Sequence, residues 1–194
     1  MARNLSRHAA VFAAALLALG VAGCPATPES APPSAEQTAA GQVERGRYLA
    51  GIMGCGDCHT PFKMGEHGPE PDMARYFSGH PEGLVMPPAP TLGEGPWIWT
   101  GAATNTAYAG PWGVSYARNI TSDEGTGIGS WTEEMFVKAM KTGKSFGGAR
   151  PILPPMPWPA CAKATDDDLK ALFAYLKTVP AIENRAPDPV IAHP

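Results

Sequence analysis

A five-residue motif at positions 55–59, C-G-D-C-H, constrains this chain more than any other feature. Two thiols three positions apart lie on the same face of one helical turn, and a histidine follows directly. This C-x-x-C-H spacing is the attachment signature of c-type haem, in which both sulfurs form thioethers and the imidazole binds the iron. The motif therefore predicts one covalent haem c attached at Cys55 and Cys58, with His59 as an axial ligand.

Three other chemistries use parts of this motif. A thioredoxin-like C-x-x-C begins a helix after a strand and does not need the histidine. A zinc site requires a second pair of ligands, which the sequence does not offer. A disulfide between Cys55 and Cys58 would join near neighbours, which is uncommon. The thiol–disulfide oxidoreductase is the rival that a haem stain would exclude.

Residues 1–23 have the pattern of an export signal. Arg3 and Arg7 precede an apolar run that is too short to span a bilayer, and small residues lead directly to Cys24. This pattern resembles a lipobox, in which a peptidase cleaves before a cysteine whose sulfur carries diacylglycerol. We expect lipidation at Cys24 and a periplasmic-side protein anchored to a membrane by lipid. The proline after Cys24 favours the outer membrane, and the alternative is an ordinary secretory signal.

The sequence predicts four segments: the signal at 1–23, the lipidated cysteine and a flexible tether at 24–41, one domain at 42–185, and a disordered tail at 186–194. Proline, alanine and small polar residues dominate the tether and leave little to bury. The chain has a net charge of −3, which falls to −5 when the signal is removed. This acidic balance argues against nucleic-acid binding and favours basic redox partners.

Eight methionines compete for the sixth coordination position of the haem iron. Met156 has prolines on both sides, which exclude it from helices and inner strands and stiffen the loop that carries it. We therefore predict Met156 as the second axial ligand. Met86, His67, His80 and an empty position are the alternatives.

Capping signals place two later helices. Thr132 or Ser130 begins a helix that ends at Gly143, and Thr165 begins one that ends before Pro180. An earlier helical pattern starts at Gln42, and its Gly46 and Gly51 would allow close packing against another helix. The predicted fold class is mainly α with long, irregular loops rich in glycine and proline.

Four segments together resemble the single-haem class I cytochrome c domain, in the branch that includes cytochrome subunits of periplasmic alcohol, aldehyde and nicotinate dehydrogenases. They span residues 46–176: the sequences G-R-Y-L at 46–49, the haem motif through Pro61, N-I-T-S-D with T-G-I-G-S-W-T at 119–132, and M-P-W with D-D-L to Y-L at 156–176. The resemblance implies covalent haem at Cys55 and Cys58 and axial ligation by His59 and Met156. The chain departs from many members of that branch, which carry three haem motifs and a C-terminal membrane helix.

These observations predict an electron carrier and not an enzyme. Its partners would be redox proteins that bind transiently, such as a dehydrogenase, an oxidase or another cytochrome. The alternative function is a haem enzyme or sensor, a peroxidase or gas binder, with an open or labile sixth position.

The segment between Phe62 and Arg118 is longer than a minimal domain of this class needs. We expect packed loops with aromatic plugs, and a flap over the haem edge or a docking surface are the alternatives. The carbonyl of Pro69 or Pro71 is the candidate to orient the His59 ring. Arg118, Trp112 and Trp158 are candidate haem-propionate donors, and Cys161 is expected to be a buried small hydrophobic residue.

Overall fold

Five helices occur in the part of the chain that the computed structural model describes, residues 35–145 and 150–192. They are α1 (Ala35–Ile52), α2 (Cys55–His59), α3 (Glu133–Thr142), α4 (Trp158–Cys161) and α5 (Asp166–Leu176), with a short 3-10 turn at Met73–Arg75. The predicted export signal, the lipidated Cys24 and the first part of the tether lie outside the described residues. No described helix is long and apolar enough to cross a membrane.

Six short strands form two antiparallel sheets. A hairpin contains β1 (Phe62–Gly65) and β2 (Gly68–Pro71), and a four-stranded sheet has the order β3 (Thr100–Gly101), β4 (Ala107–Gly110), β5 (Gly113–Tyr116) and β6 (Val190–Ile191). The prediction of a mainly α fold is therefore wrong, since the described part of the chain is 32% helical and 15% strand. Some of the glycines that suggested irregular loops belong instead to hairpins, as does Gly113 at the start of β5 with φ of 100°, whereas residues 84–99 contain no helix or strand.

Helices α1 and α5 cross at very short range, and α1 begins at Ala35, before the predicted start at Gln42. A Cβ on Gly46 would overlap the Ala171 carbonyl oxygen of α5. The close packing predicted for Gly46 is confirmed, whereas Gly51 faces open space and makes no such contact. Arg45 extends the same interface through an ion pair with Asp168, Nη2 to Oδ1 at 2.8 Å.

The caps of α3 and α5 confirm the predicted helix starts. The Thr132 hydroxyl accepts a hydrogen bond from the Met135 amide at 3.3 Å, and the Thr165 hydroxyl accepts one from the Asp168 amide at 3.1 Å. Gly143 ends α3 in the left-handed conformation with φ of 65°. The apolar side of α5 then packs with α3 and α1 in the hydrophobic core, which also contains Phe77, Ile128 and Cys161.

The residues after α5 tie several loops together. Asn184 is 2% exposed, and its amide group donates to the carbonyl oxygens of Ser78 and His80. Farther on, β6 pairs with β5 in the register Val114↔Val190. Backbone pairing that is remote in sequence thus involves part of the segment 186–192, which was expected to be a disordered tail. Residues 193–194 lie outside the described chain.

Candidate functional site

The haem-attachment motif forms a single helical turn, α2, directly after Gly54. Gly54 has φ of 64°, a left-handed conformation that lets the chain leave α1 and start a new turn at once. Cys55 and Cys58 are both partly buried, and each carries a free thiol. Because they are three residues apart in a helix, the two sulfurs lie on the same side of the turn.

One ring nitrogen of His59 is hydrogen-bonded, and the other is available as a ligand. Its Nδ1 lies 2.6 Å from the carbonyl oxygen of Arg118. A carbonyl can only accept, so Nδ1 carries the proton and Nε2 presents a lone pair. Burial lowers the pKa of His59, which further favours the neutral, ligating form. The carbonyl predicted to orient this ring was that of Pro69 or Pro71, and both belong instead to the strand β2 paired with β1.

The segment that supplies the Arg118 carbonyl is held in place by backbone hydrogen bonds to two other loops. The Ala117 amide donates to the Thr106 carbonyl at 2.8 Å, and the Ala117 carbonyl accepts from the His80 amide at 2.9 Å. Gly79 permits this approach, since a Cβ there would lie 2.5 Å from the Ala117 oxygen. Gly79 also has φ of 76°, a conformation that side chains rarely adopt. Neither Gly79 nor a backbone carbonyl could be identified from sequence patterns.

A residue between β3 and β4 also forms a hydrogen bond with α2. The Asn105 side-chain amide donates to the Asp57 carbonyl at 2.7 Å. The Tyr108 hydroxyl donates to the Asn105 carbonyl at 2.6 Å, and burial, followed by the neighbouring Cys58 side chain, raises the pKa of Tyr108. Trp99 makes an edge contact with Tyr108 at 6.0 Å between centroids and is 45% exposed. An exposed apolar surface therefore borders the attachment helix.

The Cys55 thiol lacks the electrostatic environment of a redox-active cysteine. Burial, and secondarily the neighbouring Cys161, raise the pKa of Cys55 to about 12. Catalytic thiols in oxidoreductases have lowered pKa values that favour the thiolate, so the environment of Cys55 opposes that function. No group of three or more His, Cys, Asp or Glu side chains that could hold a metal ion occurs within residues 35–145 and 150–192. As predicted, Cys161 is buried, at 6% exposure.

Met156 lies on a loop that is tied at both ends to the C-terminus of α3. Before Met156, the Ile152 amide donates to the Gly143 carbonyl at 2.7 Å. After it, the indole of Trp158 covers Gly143 so closely that any Cβ there would overlap the ring. Met156 is partly buried and packs against the same hydrophobic cluster as Cys55.

The alternative ligands have different surroundings. His80 is fully buried, and both of its ring nitrogens already have partners, the Thr106 hydroxyl at 2.9 Å and the Leu84 carbonyl at 3.2 Å. His67 is exposed in the turn between β1 and β2. Met86 lies in an exposed loop, where neighbouring Val85 is 89% exposed.

Two of the predicted propionate donors are engaged elsewhere. The Arg118 guanidinium donates to the carbonyls of Ala186 at 2.8 Å and Pro187 at 3.3 Å. The Trp112 indole N–H donates to the Ser115 hydroxyl at 3.3 Å. Both side chains therefore stabilise the fold. Ser115, which sequence reasoning missed, also donates to the Pro154 carbonyl on the Met156 loop at 2.6 Å.

Comparison with known proteins gives a consistent result, although no family model matches the chain. The chain is 32% identical over 150 residues to the cytochrome c subunit of the quinone-dependent alcohol dehydrogenase from Gluconobacter oxydans. The chain is related to cytochrome c subunits of dehydrogenases. It is also 34% identical over 133 residues to the gluconate 2-dehydrogenase cytochrome c subunit of Pantoea cypripedii, and 30% identical over 136 residues to the fructose dehydrogenase cytochrome subunit of Gluconobacter japonicus.

These matches extend over most of this chain but only a small part of each relative. They cover 75%, 69% and 70% of this chain, and 24%, 22% and 21% of the alcohol, gluconate and fructose dehydrogenase subunits respectively. The similarities support a cytochrome c family and an electron-transfer role. They also imply haem c as the cofactor.

Proposed function

We propose that this protein is an electron carrier with a single covalent haem c attached at Cys55 and Cys58. His59 would be one axial ligand and Met156 the other. The observation that carries the proposal is the bond from His59 Nδ1 to the Arg118 carbonyl, which leaves Nε2 available directly beside two free thiols on one helical turn. This donor set fits haem c.

When bound, haem c supplies an iron that alternates between Fe(III) and Fe(II). The protein's contribution is to hold both ligands in place through that change, so that little rearranges when one electron is transferred. The Arg118 carbonyl fixes the orientation of the His59 ring. The ties at Gly143 hold the Met156 loop, which limits its departure from the ligating position.

Methionine ligation would also raise the reduction potential of the haem. A thioether ligand raises the reduction potential relative to a second histidine, which suits transfer from a dehydrogenase toward a terminal oxidase or peroxidase. We propose a dehydrogenase as the donor, because the relatives are subunits of dehydrogenases. We also propose export to the periplasmic side of a membrane and a lipid anchor at Cys24, on the basis of the N-terminal pattern.

The decisive experiment is spectroscopy on the purified, exported protein. The haem should remain on the chain in denaturing electrophoresis, at one haem per chain, and the intact mass should include both haem and a diacylglyceryl group on Cys24. The oxidised protein should show the far-red charge-transfer band of a methionine–iron bond. Met156→Ala should abolish that band, whereas Met86→Ala, the matched control, should retain it.

Each alternative function gives a different result in the same experiment. A chain without haem after denaturation would favour the thiol–disulfide oxidoreductase. A high-spin ferric spectrum in the wild-type protein would favour a peroxidase or gas binder with an open sixth position. An unmodified N-terminus at or beyond residue 24 would exclude the lipid anchor and leave the haem assignment unaffected.

A further inference from the structure

Ser115 links the β4–β5 hairpin to the loop that carries Met156. Ser115 is only 8% exposed, and its hydroxyl donates to the Pro154 carbonyl at 2.6 Å. The same oxygen accepts the indole N–H of Trp112 at 3.3 Å, which orients the hydroxyl toward the loop. This is a short bond for a hydroxyl and a carbonyl, and it lies two residues before Met156.

The Met156 loop has few other ways to be held at this point. Three of the five residues 153–157 are prolines, which have no backbone N–H to donate. The ties at Ile152 and Trp158 fix the two ends of the loop but do not reach its middle. A hydrogen-bond donor from outside the loop can therefore hold its middle by bonding to a loop carbonyl. Ser115 provides such a donor.

Ser115 is itself rigidly placed, and it is close along the chain to the support of His59. It pairs with Tyr108 in the β4–β5 ladder. Three residues later, the Arg118 carbonyl accepts the His59 Nδ1 proton at 2.6 Å. A single four-residue stretch, 115–118, thus bonds both to the Met156 loop and to the His59 ring.

We propose that Ser115 is a positioning residue that keeps Met156 in its ligating position, an inference that rests on the proposed His59–Met156 ligation. Loss of the hydroxyl would leave the Pro154 carbonyl without this donor and would allow the middle of the loop to move away. The net contribution of one such bond corresponds to a change on the order of tenfold in the equilibrium between bound and displaced Met156.

The test is the binding of imidazole to the oxidised holoprotein, because imidazole competes with the methionine for the iron. Ser115→Ala should bind imidazole about tenfold more tightly than the wild-type protein and should have a weaker far-red band. Ser115→Thr retains the hydroxyl and should behave as the wild type does. If Ser115→Ala does not fold, Ser115→Cys keeps a similar volume with a weak donor and should show the same direction of change.

Ser122 offers a matched control for stability effects. Its hydroxyl donates to the Val179 carbonyl at the same distance, 2.6 Å, and this acceptor is not part of the Met156 loop. Ser122→Ala should lower the melting temperature yet leave imidazole affinity and the far-red band unchanged. Equal imidazole affinity in Ser115→Ala and the wild type would overturn the positioning role alone. Absence of the far-red band from the wild type would overturn the proposed ligation, and the Ser115 inference with it.

Discussion

His80 shows how one buried residue can make the stability of the fold depend on pH. Its imidazole is fully enclosed between the Thr106 hydroxyl and the Leu84 carbonyl. Burial is the main cause of its lowered pKa, and the positive charge of Arg75 lowers the pKa further. The folded protein therefore resists protonation of His80, whereas the unfolded chain binds that proton near the ordinary value of about 6.5.

The sign of the resulting effect follows from proton linkage. Below about pH 6.5 the unfolded chain binds more protons than the folded protein, so His80 makes the folded state less stable as pH falls. The slope from this single residue cannot exceed about 1.4 kcal/mol per pH unit. We expect the free energy of unfolding of the holoprotein to decrease between pH 7 and pH 5.

His80→Gln isolates this effect, because glutamine does not titrate. The difference in unfolding free energy between wild type and His80→Gln, measured by denaturant titration, should favour the wild type at pH 7 and shrink toward pH 5. A difference that stays constant over this range would show that His80 does not remain neutral in the folded protein. Measuring the difference between the two proteins cancels the contributions of the groups that they share.

The α1–α5 crossing is the element-level feature that holds the attachment helix to the core. Gly46 brings the two helix backbones together, and α2 follows α1 after only two residues. Gly46→Ala should therefore destabilise the protein by about 3 kcal/mol, because the added methyl group overlaps the backbone of α5. Denaturant unfolding of the holoprotein measures this loss.

Gly51→Ala is the matched control, five residues away in the same helix. Gly51 faces open space, so its Cβ meets no neighbour. The substitution should stabilise the protein by about 0.5 kcal/mol, since alanine has a higher helix propensity than glycine. If both substitutions had the same effect, the contrast could not arise from close contact between α1 and α5.

Local chemistry made α3 and α5 predictable, whereas the pairing that places the last strand in the sheet is long-range. Thr132 and Thr165 cap helices through bonds to residues three positions later, and such bonds leave a sequence signal. By contrast, β6 pairs with β5 across more than 70 residues, a relation that no local pattern encodes. The attachment motif was visible for the same reason as the caps, because its residues are consecutive. Ser115 was missed because its acceptor lies 39 residues away.

At the scale of the whole molecule, the segment after α5 connects parts of the chain that are far apart in sequence. Asn119 donates to the Ile182 carbonyl at 2.7 Å, and Arg118 donates to the Ala186 carbonyl at 2.8 Å. Between these points, the Asn184 amide group reaches back to the loop around Ser78. The segment 182–186 therefore supports Arg118, whose carbonyl orients His59, and also the loop around Ser78.

Asn184 is the centre of this connection, and all of its side-chain capacity is used. Its oxygen accepts from the Glu82 amide at 2.9 Å and from Arg75 Nη2 at 2.6 Å. Its nitrogen donates to the Ser78 and His80 carbonyls at 2.7 and 2.8 Å. Asn184→Ala should lower the free energy of unfolding by about 3 kcal/mol, because it leaves several buried groups without partners.

Asn184→Asp separates the effect of hydrogen bonding from the effect of side-chain size. The carboxylate has nearly the same size as the amide, but its second oxygen would face the Ser78 and His80 carbonyls and repel both. We therefore expect Asn184→Asp to be at least as destabilising as Asn184→Ala near neutral pH, in denaturant unfolding of the holoprotein. Wild-type stability in Asn184→Asp would mean that only the volume of the side chain matters. Because Asn184 joins remote segments, either substitution should lower the midpoint of a single cooperative unfolding transition. Neither should create a second transition.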